Sequence, residues 1–483
     1  MILNRQDRRT LRRFRASVCF RVVFVVLAVA GQAAFLRAQA EDVTIGPKGT
    51  LVAIDDVERA WLSLTPFQQF AVVDQLVGAG EIGRAEHLLV RTDYAHANDR
   101  LTKRFYIGLI RRGQGRTDEA VTIFRDILAD NPGFSRVRMA LATTLYQSED
   151  DEAARYNLEL VLAETATNPN LANTVRSYIG AIDGRRRWDA TAYVSIAPST
   201  NFNQGSDAST VYLTGADGAA LPFELAKENR KQSGIGLAAG LQASYRQPLG
   251  DSLDFIASGA VHSKTYRDSD YNDSLFSASL GPRLRFPWGY LGVYGLVEER
   301  LYANEPFSFS WGGLVSATVR LGAQDIVFAD ISCLKRDVAD DWNGADLSYQ
   351  DGHTCSVGGR YEHAFASTTV MRLFGSYGRE RTGKESLDYD SWSAGAGLAQ
   401  ELSWGLSIYV QAQYTNRDYD GIYFDGEARG DDRWDLSFNL TKRDWVLFGM
   451  APMLQYTYTL NDSNIAFHDF DAHGVNLTLT QRF

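Results

Sequence analysis

From residue 186 to the end of the chain, about fourteen segments alternate hydrophobic and polar positions one by one, with polar connectors between them; before residue 186 the periodicity is helical. Leu406, Ile408, Val410, Ala412 and Tyr414 share one parity, while Ser407, Tyr409, Gln411, Gln413 and Thr415 take the other. The next segment repeats this, with Trp434, Leu436, Phe438 and Leu440 set against Asp435, Ser437, Asn439 and Thr441. The last puts Val475, Leu477, Leu479 and Phe483 in one register, against Gly474, Asn476, Thr478, Thr480 and Arg482. A period of two gives a strand two unlike faces, one suited to lipid and the other to water, which predicts a transmembrane β-barrel.

Connector lengths predict the topology. Tight connectors are expected at 248–251, 286–289, 321–324, 365–367, 402–405 and 442–445. Longer loops are expected at about 199–232, 264–273, 300–306, 334–352, 379–389, 418–431 and 460–469. Together they join fourteen antiparallel strands of roughly 9 to 11 residues, with both barrel ends on the short-turn side, which in an outer membrane is the periplasm. A soluble sandwich alternates too, but does not sort its connectors by length so strictly. Trp288, Trp404 and Trp445 fall at short turns, where an interfacial aromatic belt is expected.

The first forty residues fit a secretory signal peptide. Arg5, Arg8, Arg9, Arg12, Arg13 and Arg15 make a basic start, Val22 to Ala30 an apolar core, and Ala38-Gln39-Ala40 a cleavage site. Eight Arg and one Asp give this stretch +7, so a total of −10 leaves −17 on the mature chain. That acidity argues against nucleic acid as a partner. Cys19 would leave with the signal peptide. Cys333 and Cys355 flank a long loop on equivalent strand faces, and in an oxidising compartment they are either a disulfide or two free thiols.

Residues 41–185 are predicted to be a periplasmic helical domain of tetratricopeptide type. Ala120 and Phe124, with Gly108 before and Pro132 after, match the A-x3-F…P positions of that repeat, and Ala154/Leu158 and Ala85/Leu89 recur about one repeat away on either side. The small residue belongs where two helices cross closely, and the large one fills the space beside it. Such an array offers a concave surface to a peptide or helix. Residues 183–187 would join it to the barrel of 186–483.

This organisation resembles the surface lipoprotein assembly modulator family, Slam. The residues that carry the likeness are Ala197-Pro198-Ser199-Thr200-Asn201-Phe202-Asn203, with Pro198, Asn201 and Asn203 at the family's motif positions, then Gly449-Met450-Ala451-Pro452, Gln455-Tyr456-Thr457-Tyr458 and Ser463-Asn464-Ile465. The resemblance implies an outer-membrane protein that moves a cargo, a surface lipoprotein or a soluble secreted protein, from periplasm to surface. Phe483, with Val475, Leu477 and Leu479 in register, resembles the signal read by the barrel-assembly machinery. Pro452 inside a strand would remove a ladder donor.

No catalytic constellation, cofactor loop or metal-ligand spacing is found. His87, His96, His262, His353, His363, His468 and His473 are scattered, and Asp337, Asp340, Asp341, Asp346 and Asp351 read as a solvated outer loop. An enzyme is therefore not expected. Strand parity turns Arg246, Arg283, Arg285, Arg320, Arg360, Arg372 and Arg482 inward near the short-turn end, as a basic ring. The ring either attracts an acidic passenger or is neutralised by Glu362, Glu401 and Glu298. Two other functions fit a barrel: an exopolysaccharide exporter, which would carry longer repeats and usually sixteen strands, and a passive porin, for which the helices would be superfluous.

Overall fold

A computed structural model describes residues 61–164, 168–185, 187–214, 220–340, 345–422, 426–445 and 450–480. The expected signal peptide, Asp341, Gln481, Arg482 and Phe483 lie outside the described residues. Residues 61–71 belong to a first compact unit ending at Ala71, in which a 3-10 turn at Trp61–Ser63 is fastened by Gln69, whose amide donates to the Trp61 carbonyl at 2.9 Å.

The second unit runs from Val72 to Phe483 and holds the last turns of the first helix, the other helices and the barrel. The helices are α1 (Pro66–Gly78), α2 (Ile82–Val90), α3 (Ala97–Gly113), α4 (Thr117–Asp130), α5 (Ser135–Gln147), α6 (Asp151–Ala163) and α7 (Pro169–Arg185). The repeat positions read from the sequence are its core. Ala85, Leu89, Ala120, Phe124, Ala154 and Leu158, spaced i,i+4 on α2, α4 and α6, are all fully buried. Gly108 shows why a small residue is needed: a Cβ there would meet Cε1 of Phe124 at 2.5 Å, so α3 and α4 can approach closely only with glycine. Burying Phe124 whole is worth about 1.5–3 kcal/mol over leaving it exposed.

After α7 the chain enters β1 (Trp188–Ser199). The long loop that follows contains a separate hairpin, β2 (Thr210–Thr214) and β3 (Ala220–Glu224). Then come β4 (Gly234–Pro248), β5 (Leu253–Thr265), β6 (Asp273–Phe286), β7 (Gly289–Tyr302), β8 (Glu305–Arg320), β9 (Asp325–Val338), β10 (Gly352–Ala366), β11 (Thr369–Thr382), β12 (Tyr389–Leu402), β13 (Leu406–Ile422), β14 (Ala428–Lys442), β15 (Ala451–Ser463) and β16 (Phe470–Thr480). Fourteen of these form one closed antiparallel barrel, with β1 pairing β4 on one side and β16 on the other. Closure leaves no edge with unpaired backbone groups, which a hydrocarbon environment requires. Val194, Ile196, Leu237, Leu280, Val293, Ile331 and Leu477 are exposed on the outer face; Ser195 and Thr478 are buried inside, their hydroxyls 2.9 Å apart.

The barrel strands run from 11 residues in β16, the top of the expected range, to 17 in β13, so several predicted loops shrink. The 300–306 connector is a correction. It is a two-residue turn, because Ala303 and Asn304 both take left-handed φ angles of 52° and 66°, the type I′ geometry that suits the twist of a hairpin. Pro452 breaks no ladder. It faces Leu479 of β16, and the β14 pairing stops at Met453, one residue short of it. Cys333 and Cys355 stand directly opposite each other on β9 and β10, with Cα atoms 4.1 Å apart, joined by a disulfide.

Candidate functional site

The site is the short-turn mouth of the barrel, and its two sides are built differently. Under β8 to β14 the helices are fastened to the turns. Glu401, at the end of β12, points inward and is almost fully buried; one carboxylate oxygen accepts from Arg138 of α5 at 2.6 Å and pairs with Arg443 at 2.5 Å, and the other accepts from the Tyr156 hydroxyl of α6 at 2.9 Å. A carboxylate with two guanidiniums and a phenol has both oxygens engaged, the condition under which a buried charge is tolerated.

Further bonds lie along the same side. The Gly405 N–H donates to the Ala129 carbonyl at 3.0 Å, and the Gln324 amide to the Ala163 carbonyl at 2.9 Å. Ser367, wholly buried in the β10–β11 turn, donates to Glu164. Arg320 reaches Glu159 of α6 at 3.1 Å.

Under β1 and β4 to β8 a cavity of about 1090 Å³ separates α6 and α7 from the strand ends. Arg155, Arg176, Arg187, Arg246, Arg283, Arg285 and Arg320 line it, with Asp189 and Asp251 as the acidic residues of the lining. Arg246, Arg283 and Arg285 converge on a single carboxylate, Asp254, at 3.6, 3.0 and 3.3 Å. Arg283 also lies over the Tyr290 ring, 4.7 Å from its centroid. Arg360 and Arg372 instead share Glu362 at 3.1 and 2.8 Å, and Arg360 stacks over Phe328 at 4.0 Å.

The six described arginines of the expected ring thus fall into three groups rather than one continuous band. Of the carboxylates expected to neutralise them, Glu362 does so. Glu401 is a correction: it serves Arg138 and Arg443, because the helices pack against the end of β12 and bring Arg138 within reach. Glu298, on β7, forms no ion pair with the ring among the described residues. Asp254 was missed, although a signal existed: it has the same inward parity and faces Arg283 directly across the strands.

At the opposite end, Asn201 is buried and knits the long loop to the barrel seam. Its amide donates to the Gly205 carbonyl at 2.8 Å and the Asp471 carbonyl at 3.0 Å, and its carbonyl oxygen accepts from the Gly205 N–H at 3.0 Å. Asn203 donates to the carbonyls of Glu228 and Arg230 at 2.9 and 2.8 Å. Pro198 lies where β1 and β16 lose two rungs, between Ile196–Leu477 and Ser199–Gly474. Val475, Leu477 and Leu479 are on β16, the latter two facing Ile196 and Val194 of β1. In the turn at Ala466–His468 of the last outer loop, burial and the nearby Arg429 guanidinium push the His468 imidazole down to about 4, so it is neutral at physiological pH.

The sequence profile of the surface lipoprotein assembly modifier family matches residues 188–483, the whole barrel. The chain belongs to that family. A tetratricopeptide repeat profile matches residues 111–177. A hemophilin secretion modulator of Acinetobacter baumannii is 24% identical over 80% of this chain and 79% of its own length. Surface lipoprotein assembly modifier 1 of Neisseria meningitidis is 23% identical over 80% and 76%. Among solved structures, a Pseudomonas aeruginosa FadL homologue aligns at 10% identity with a TM-score of 0.35, over 68% of this chain and 93% of that one, a likeness too loose to add to the family assignment. The chain is thus an outer-membrane assembly or secretion factor by family, with a helical repeat region ahead of a fourteen-strand barrel.

Proposed function

We propose that this member of the family delivers one specific cargo protein, a surface lipoprotein or a soluble secreted protein, from the periplasm to the cell surface. The observation that carries this reading is the Glu401 clasp, which fixes the repeat helices against the barrel mouth, so that a chain held by the helices lies next to the lumen. A passive porin has no use for such a clasp, and the barrel has fourteen strands where a polysaccharide exporter is expected to have sixteen.

In this reading residues 1–40 are removed on export, 41–185 lie in the periplasm, and 186–483 form the barrel in outer-membrane lipid. The barrel-assembly machinery reads Val475, Leu477, Leu479 and Phe483 during insertion. Pro198, Asn201 and Asn203 hold the outer loop at the seam. No catalytic step is required of the chain. The test is to delete the gene and compare the proteins released by surface shaving and those in the medium. One or a few missing proteins, restored by the intact gene, is the expected result; an unchanged protein set with a missing surface polymer would overturn it.

A further inference from the structure

Among the described residues, the chamber between α6, α7 and the ends of β1 and β4 to β8 carries more arginines than carboxylates. Seven arginines of the described residues line it, and counting Asp189 and Asp251 of the lining with the ion-pair partners Asp254 and Glu159 gives four carboxylates. Asp254 alone serves three guanidiniums, and the pairing is imperfect: the Arg283 Nε is buried without a hydrogen-bond acceptor and the Asp254 Oδ1 without a donor. Each guanidinium offers five N–H donors in a flat fork that matches a carboxylate, and a single carboxylate cannot meet three such forks at once.

Arg176 and Arg187 are exposed on the chamber wall and form no ion pair among the described residues. The opposite side of the mouth is occupied by the helix contacts, whereas the chamber is lined both by helix residues such as Arg155 and Arg176 and by strand residues such as Gln242 and Ser258. We propose that this chamber is the docking site for a carboxylate-rich segment of the exported protein, held by bidentate arginine pairs as it passes from the repeat helices into the barrel. The inference rests on the delivery reading and adds to it the chemical character of the passenger. A chamber about 1090 Å³ in volume admits a stretch of extended peptide, not a folded domain.

The full chain, purified in detergent micelles, is titrated with a fluorescent decapeptide of mixed Asp and Glu, with a neutral decapeptide as control. The acidic peptide should bind, and Arg176→Glu with Arg187→Glu should weaken it about tenfold or more, as should added salt. A photo-cross-linker in place of Gln242, an exposed neutral residue of the same chamber, should capture it. Retained heat-modifiable mobility of the barrel shows that the variant has folded, and Arg176→Gln with Arg187→Gln provides a milder form. Equal binding of acidic and neutral peptides, or undiminished binding by the charge-reversed protein, would overturn the inference. So would displacement of the peptide by an equal concentration of inorganic phosphate or anionic lipid, which would assign the chamber to phosphate. In cells the two readings separate: if deletion loses a surface protein and the charge-reversed chain restores it fully, delivery stands and the acidic segment falls.

Discussion

The two sides of the barrel mouth use the same residue type to opposite ends. Under β8 to β14, arginine is spent on closure: Arg138 and Arg443 bury their charge on Glu401, and Arg320 reaches out to Glu159. Under β4 to β6, three arginines gather on the single carboxylate of Asp254 beside a chamber lined by further arginines. The difference lies in the number of partners rather than in the number of cations. A carboxylate shared by one buried guanidinium, one partly buried guanidinium and a phenol is a fastener; a carboxylate shared by three guanidiniums at the edge of a cavity leaves positive charge over for something else.

Glu401→Ala attacks the closed side and should have the largest effect. Removing the anion strands the buried Arg138 and the partly buried Arg443, which costs about 3–5 kcal/mol. Limited proteolysis should then cut between α4 and α6 while the barrel keeps its heat-modifiable mobility. Asp254→Asn tests the open side. Its guanidiniums lose their common anion but can recruit water or a solute anion, so the barrel should lose about 1–3 kcal/mol by urea midpoint, less than the clasp variant, and added sulfate should return part of it. An equal loss in both variants would erase the distinction between the sides. Arg320→Gln lies at the border. Its pair with Glu159 is partly exposed, so the expected loss is about 0.2–1 kcal/mol and shows as faster hydrogen exchange in α6 rather than as a shift of the whole transition.

What the sequence disclosed follows from the range of the interactions. Alternation along a strand and the i,i+4 spacing of Ala120 with Phe124 are local, so the strand count, the helix cores and the facing cysteines could be read from single segments. Ala303-Asn304 was read as part of a longer loop because it lacks the Asn-Gly signature of a two-residue hairpin, yet both residues accept left-handed backbone. Asp254 was within reach of the same parity argument that listed the arginines. The Arg138–Glu401 bond joins residues 263 apart and depends on how the helices dock, which no periodicity encodes. The motif residues Asn201 and Asn203 were found by likeness; that they bond mainly to backbone carbonyls of a folded loop comes from the structure alone.

The asymmetry of the mouth is tested most directly by cysteine accessibility in a chain lacking Cys333 and Cys355. Gln242→Cys lines the chamber, whereas Ser367→Cys lies in the turn covered by Glu164. With a bulky maleimide added to the protein in micelles, Gln242→Cys should label at least about tenfold faster, and adding Glu401→Ala should speed only Ser367→Cys, because the clasp holds that side shut. Equal labelling of the two positions in the otherwise intact protein would contradict a mouth that is closed on one side and open on the other.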